Sequence, residues 1–310
     1  MNLMLDVKGL YKNFGDFEAV KNLSFTVNEG DVYGFLGQNG AGKSTTLRML
    51  LKLISPSAGE IIFSGKNIAN DGNAMLKQTG AIIERPDMYK FLSAYDNVHL
   101  FAKLSGINPT RKLIMDQLEM VGLADRYDSK AKTYSQGMKQ RLGIAIALIH
   151  SPKLIILDEP TNGLDPQGIA DMRNLILRLS REMGKTVVVS SHLLSEIEVI
   201  ANRMIIIHKG QKMVEGNVAA LLDPADTIVE INTTDNDAAY LHLQNTVWQT
   251  HLQKTNKTLR LKMNKTVVPQ IVETLAGMQV QILSVQPRHS LEEYFLSLTN
   301  NDTHVEPFTN

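Results

Sequence analysis

Eight consecutive residues, Gly37-Gln38-Asn39-Gly40-Ala41-Gly42-Lys43-Ser44, fit the pattern G-x-x-x-x-G-K-[ST]. Glycines at 37, 40 and 42 let the backbone fold tightly enough for several N–H groups to point at one phosphate. A helix starting there adds its positive end. Lys43 would bridge the outer phosphates of a nucleotide, and the Ser44 hydroxyl would ligate magnesium. Gln38, Asn39, Ala41 and Thr45 complete the cradle. A second stretch, Leu154-Ile155-Ile156-Leu157-Asp158-Glu159, supplies what the first lacks. An apolar strand ending in Asp puts a carboxylate at the carboxyl edge of a sheet, where open α/β sheets bind ligands. Asp158 would hold the metal, directly or through water. Glu159, one residue on and pointing elsewhere, could accept a proton from an attacking water. Alone, these are a glycine-rich turn and a strand meeting a polar loop; together they point to hydrolysis of a nucleoside triphosphate.

Such residues need a sheet to hold them, and the first 225 residues alternate strands with helices. Residues 3–7 and 23–27 alternate with a period of two, as half-buried strands do. Apolar runs at 32–36, 81–83, 154–157, 186–189 and 204–207 have few polar breaks, the pattern of strands covered on both faces of a parallel sheet. Helical patterns occupy 43–53, 166–182 and 193–201. The expected class is α/β with a central mixed sheet. Residues 93–150 break the rhythm with three helical patterns, at about 93–105, 110–121 and 136–149, and read as an inserted helical subdomain.

Beyond Ala225 the order changes. Strands are expected at 228–232, 247–253, 258–263 and 280–285, with helices at 236–244 and 266–277. This βαββαβ order fits a small α+β, ferredoxin-like unit over 226–299. Ser290-Leu291-Glu292-Glu293 reads as a capping box opening a last helix, followed by a polar tail over 300–310. The back part carries six Lys/Arg and nine Asp/Glu, leaving 26 and 23 in front, so the ATPase-like portion is mildly basic and the appendage mildly acidic.

The 310 residues are 43% hydrophobic and carry 32 basic against 32 acidic groups, which excludes a mostly disordered chain. With no net charge there is no broad positive field, and no nucleic-acid partner is expected. The absence of cysteine excludes disulfides and thiolate metal sites. No basic cluster leads into an apolar stretch at the start, and no apolar run approaches the roughly 18–20 residues of a spanning helix. The expectation is a soluble protein that reaches a membrane only by docking on something else.

Tyr134-Ser135-Gln136-Gly137-Met138-Lys139-Gln140-Arg141 resembles a divergent form of the signature of ATP-binding-cassette (ABC) ATPases. Gly163-Leu164-Asp165 matches the family's D-loop, His192 its switch histidine, and Phe14, in Lys12-Asn13-Phe14-Gly15, the aromatic that stacks on adenine. The resemblance covers about residues 3–225. It implies that ATP and magnesium are bound, with Glu159, His192 and Lys43 catalytic and Ser135, Gln136, Gly137 and Asp165 touching nucleotide bound to a second copy, head to tail. Where the family usually has glutamine this chain has Glu84, which could ligate magnesium as an amide can while adding a negative charge. Gln136 and Met138 also depart from the common Gly and Gln. Glu84 and the ending 290–299 resemble the branch of bacitracin-resistance and lantibiotic-immunity exporters. That resemblance implies a separate polytopic permease, a peripheral place at the cytoplasmic face of the membrane, and an antimicrobial peptide or drug as cargo. The alternatives are a soluble ABC ATPase without a transport role, and a nucleotide-binding subunit without turnover. Arg85, Pro86, Met88, Tyr89 and Phe91 would meet the permease or pack the subdomain's hinge.

Overall fold

A computed structural model of the chain describes residues 2–223, 227–253, 258–289 and 295. It divides into two compact units, Met1–Asn217 and Val218–Asn310. The charge shift placed the boundary at 225, seven residues past the start of the second unit at Val218.

In the first unit the chain runs β1 (Leu3–Phe14), β2 (Phe17–Asn28), β3 (Val32–Leu36), α1 (Lys43–Leu50), β4 (Ala58–Phe63), β5 (Lys66–Asn67), α2 (Ile68–Leu76) and β6 (Thr79–Ile82). It continues through α3 (Ala94–Leu104), α4 (Arg111–Met120), α5 (Gln136–Leu148), β7 (Leu154–Leu157), α6 (Pro166–Arg181), β8 (Thr186–Ser191), α7 (Leu194–Ile200), β9 (Arg203–His208) and β10 (Gln211–Asn217). Six strands form one sheet in the order β10-β9-β3-β8-β7-β6. All neighbours are parallel except the edge strand β10. β3, β7 and β8 are buried along their whole length, as strands covered on both faces must be. Gly34 is needed in β3 because α7 lies directly on it: a Cβ there would sit 2.3 Å from Ile197 Cγ2.

A second, antiparallel sheet, β2-β1-β4-β5, faces the first across an apolar core in which Phe25 stacks on Tyr33 and meets Phe35 edge-on. Its long hairpin exceeds the two short strands read from the sequence, because register shifts along β1 interrupt the alternation that marks a strand. The helical insertion stands where expected, as α3, α4 and α5 without an intervening strand. Ser93, Thr110 and Ser135 cap these helices, each accepting a backbone N–H three residues on.

The second unit contains α8 (Val218–Leu221), β11 (Thr227–Thr233), α9 (Asn236–Gln244), β12 (Leu252–Gln253), β13 (Leu259–Met263), α10 (Val268–Gly277) and β14 (Ile282–His289). Its sheet order, β12-β13-β11-β14, is antiparallel throughout and follows the expected ferredoxin-like path. Val229, Ile231, Leu259, Leu261 and Met263 pack with Ile271 and Leu275 in a core of their own. The strand expected at 247–253 is different: Val247–His251 is a 3-10 turn and only Leu252–Gln253 pairs. Trp248 turns inward and its indole N–H donates to Thr274 Oγ1 at 3.1 Å, which a straight strand would not allow. The capping box at 290–293 and the tail lie outside the described residues. Among the described residues, no helix is long and apolar enough to cross a membrane.

Candidate functional site

The loops after β3, β7 and β8 leave the carboxyl ends of three adjacent parallel strands and so converge on one edge. From β3 comes the glycine loop. Gly42 has φ +100°, and a Cβ there would lie 2.7 Å from the Ala19 carbonyl oxygen, so no other residue fits the turn into α1. Lys43 follows and is 5% exposed. Its Nζ donates to the carbonyl oxygens of Gly37 at 2.6 Å and Gln38 at 3.1 Å. It also meets Glu159 Oε1 at 3.1 Å.

From β7 come Asp158, 2% exposed, and Glu159, whose φ of 49° lies in the left-handed region that non-glycine residues avoid. That turn sends the Glu159 side chain away from Asp158 and into the cradle, where it lines a cavity of about 260 Å³ with Lys43, Ser44 and Thr45. The last residues of β8 hold both acids. Ser190 Oγ donates to Asp158 Oδ1 at 2.6 Å and accepts the Glu159 N–H at 2.9 Å. His192 Nδ1 lies 2.8 Å from Glu159 Oε2, so this nitrogen carries the hydrogen toward the carboxylate. Lys43, Glu159 and His192 therefore form a continuous chain across three loops. A carboxylate held between an ammonium and an imidazole is oriented for proton transfer.

Fit to a magnesium ion rests on the donor chemistry. Ser44 lines the cradle and Asp158 stands at the strand end, one hydroxyl and one carboxylate, both hard oxygen donors. Among the described residues no cluster of three or more His, Cys, Asp or Glu could hold a metal alone. A cation shared between one or two protein oxygens and substrate phosphates needs no such cluster. Glu84, also expected to ligate the metal, is held in an ion pair. It has φ 61°, its side chain is mostly exposed, and it is ion-paired with Arg48. Arg48 is four residues after Ser44 on α1, so the pairing sets the Glu84 loop beside the face of the helix that carries Ser44.

The other expected residues fall into two groups. Gln38, Asn39, Gly40 and Thr45 line the cavity. Ala41 is buried in the loop, its carbonyl accepting the Gly210 N–H at 3.0 Å. Ser135 and Asp165 are N-caps, of α5 and α6, accepting from Met138 N at 3.2 Å and Gly168 N at 3.0 Å. Ser135 and Gln136 are exposed, and the nearest atom to a Cβ on Gly137 would be Leu164 Cδ2 at 3.8 Å. The start of α5 thus lies beside the loop that carries Asp165 and opens outward. Phe14 is half exposed with Lys12 Nζ 4.9 Å from its ring, whereas Phe17, its partner across the hairpin, lines the cavity. Phe17, Arg48, Ser190, Ser191 and Glu196 were not singled out from the sequence. The serines alone carry a visible signal, a polar pair closing an apolar strand; the others depend on contacts between distant residues.

The family described as ABC transporter matches residues 20–162. The Uncharacterized ABC transporter ATP-binding protein YhcH of Bacillus subtilis (strain 168) is 42% identical over 308 residues, covering 96% of this chain and 97% of that one. The Bacitracin transport ATP-binding protein BcrA of Bacillus licheniformis is 46% identical over 215 residues, 69% of this chain and 70% of that one. Among solved structures, the dimeric post-hydrolysis ATP-binding cassette MJ0796 bound to ADP and Pi superposes with a TM-score of 0.63 at 26% identity, covering 69% of this chain and 99% of that one.

Proposed function

The chain belongs to the ABC transporter family as an ATP-binding, ATP-hydrolysing subunit of exporter type, and from that premise we propose how its residues work and what they serve. Lys43 and the loop N–H groups bind the outer phosphates, which compete with Glu159 for the Lys43 ammonium. Glu159, released toward the γ-phosphate, takes a proton from the attacking water, and His192 holds it in line through Nδ1–H. Magnesium, when bound, offsets the charge on the phosphoryl oxygens, and Ser44 and Asp158 are the residues that would hold it. Phe14, with Phe17 beside it, supplies the aromatic surface for the adenine.

Ser135, Gln136, Gly137 and Asp165 serve a second copy. The start of α5 is an exposed, positively polarised helix end of the kind that binds phosphate. Two copies set head to tail would each close the other's cradle, with ATP between them. A separate membrane permease is the other partner, and its cytoplasmic loops would meet Arg85, Pro86, Met88, Tyr89 and Phe91. Tyr89 and Phe91 are 56% and 78% exposed, which leaves aromatic surface free for that contact. In this reading the working protein sits at the cytoplasmic face of the membrane. The likeness to the bacitracin transport protein supports an antimicrobial peptide as cargo.

The observation that carries the catalytic part is the Lys43–Glu159–His192 chain. Its test is steady-state hydrolysis of Mg-ATP by the chain and by Glu159→Gln. Unimpaired turnover in the variant would place the base elsewhere. The exporter part is tested by isolating tagged Glu159→Gln with Mg-ATP from gently solubilised membranes. A polytopic partner supports it; soluble partners alone would favour a non-transport ATPase.

A further inference from the structure

Glu196 sits in the first turn of α7 and is 7% exposed, a buried carboxylate outside the catalytic chain. Among the described residues no cation pairs with it. Instead one oxygen, Oε2, accepts two hydroxyls: Thr161 Oγ1 at 2.8 Å and Ser191 Oγ at 2.7 Å. Burying an anion without a counter-ion is costly, and an apolar residue would fill the same space at less expense. The helix start at α7 offsets part of that cost. What the carboxylate gains is a junction, because its two donors belong to different loops.

Thr161 lies two residues after Glu159 and four before Asp165, within a loop tightened by Asn162 N to Glu159 O at 3.1 Å and Leu164 N to Thr161 O at 3.2 Å. Ser191 precedes His192. Its hydroxyl accepts the Leu193 N–H at 3.0 Å, and its carbonyl accepts the Gly37 N–H at 3.2 Å. One carboxylate oxygen therefore joins the loop of the base to the loop of the histidine, and the latter is tied to the first glycine of the cradle. Charged acceptors make short, strong bonds to hydroxyls, and a single neutral hydroxyl in its place would hold two donors poorly.

We propose that Glu196 is a positioning residue for the hydrolytic reaction, locking the 159–165 loop to His192 so that both move as one body. This rests on the catalytic assignment of Glu159 and His192 made above. Ser190 gives the two loops a second, shorter tie, so loss of Glu196 weakens the alignment and leaves it partly intact. Misplacing a reacting group by about an ångström costs up to roughly 100-fold in rate.

The test pairs kinetics with amide hydrogen exchange on the full chain. In Glu196→Ala, kcat for ATP hydrolysis is expected to fall roughly 10- to 100-fold while KM for ATP changes less than about threefold. Exchange should rise together at 159–165 and 191–193. Glu196→Gln keeps an amide oxygen able to accept both hydroxyls and should restore most of the rate and the protection. Wild-type kcat in Glu196→Ala, or equal loss in Ala and Gln, would overturn the proposal. If Glu196→Ala does not fold, Thr161→Val and Ser191→Ala decide. Because both bonds end on one oxygen, the double variant should lose little more than the worse single one, and full multiplication of the two losses would overturn the proposal. Were the wild type itself inactive, the catalytic assignment would fail. The exchange arm would still decide whether Glu196 joins the loops, and protection unchanged in Glu196→Ala would overturn that too.

Discussion

The two sides of the proposed shared nucleotide site are built differently. On one side, Lys43, Asp158 and Glu196 are almost wholly buried, Glu159 is largely so, and every one of them has its partner within the same chain. On the other, Ser135 and Gln136 stand exposed at the start of a helix, capped but facing outward. Most dipoles of this half are fixed before the ligand arrives, and only the Lys43–Glu159 pair must give way to phosphate. An open helix start does nothing for the cradle of its own chain unless something brings a phosphate to it. The difference is what the proposed head-to-tail site would require: chemistry fixed in one chain, closure supplied by the next.

This contrast can be broken at several points. Lys43→Ala should have the largest effect, removing ATP binding and hydrolysis together, as followed by nucleotide fluorescence and phosphate release. Glu159→Gln should keep binding and lose roughly 10²- to 10⁴-fold in kcat, the range for removing a general base. Ser135→Arg leaves the buried half intact, so a single chain should bind ATP normally while the ATP-dependent dimer is lost in light scattering. Normal dimerisation in that variant would erase the distinction between the halves. Glu84→Gln should change hydrolysis by less than about fivefold, because the pair with Arg48 is exposed and such pairs are worth at most about 1 kcal/mol. The smallest effect belongs to the second unit: Trp248→Phe removes one hydrogen bond to Thr274 and should cost about 1 kcal/mol in denaturant unfolding without altering ATPase rate.

How far the sequence shows these features follows the same division. The glycine loop and the Asp158–Glu159 strand end are local patterns, written in consecutive residues because backbone geometry and strand direction need only neighbours. The helical insertion and the ferredoxin-like strand order were legible for the same reason, through periodicity. The elements holding the buried half were not. Glu196 is separated by 35 residues from Thr161, and Arg48 by 36 from Glu84, and no pattern in one stretch announces a partner in the other. The misread strand at 247–253 has a related cause. The bond from Trp248 to Thr274, 26 residues away, sets the turn, and nothing within the stretch announces it. Phe17 was passed over because strand register, invisible in the motif, turns it beside Phe14 toward the cradle.

The claim that one chain holds half of a shared site is tested most directly by light scattering of Glu159→Gln with and without Mg-ATP. A single species of twice the 34.5 kDa chain mass is expected when ATP is present, reverting to the chain mass when ATP is removed. A protein that binds ATP stoichiometrically yet stays at the chain mass would contradict it.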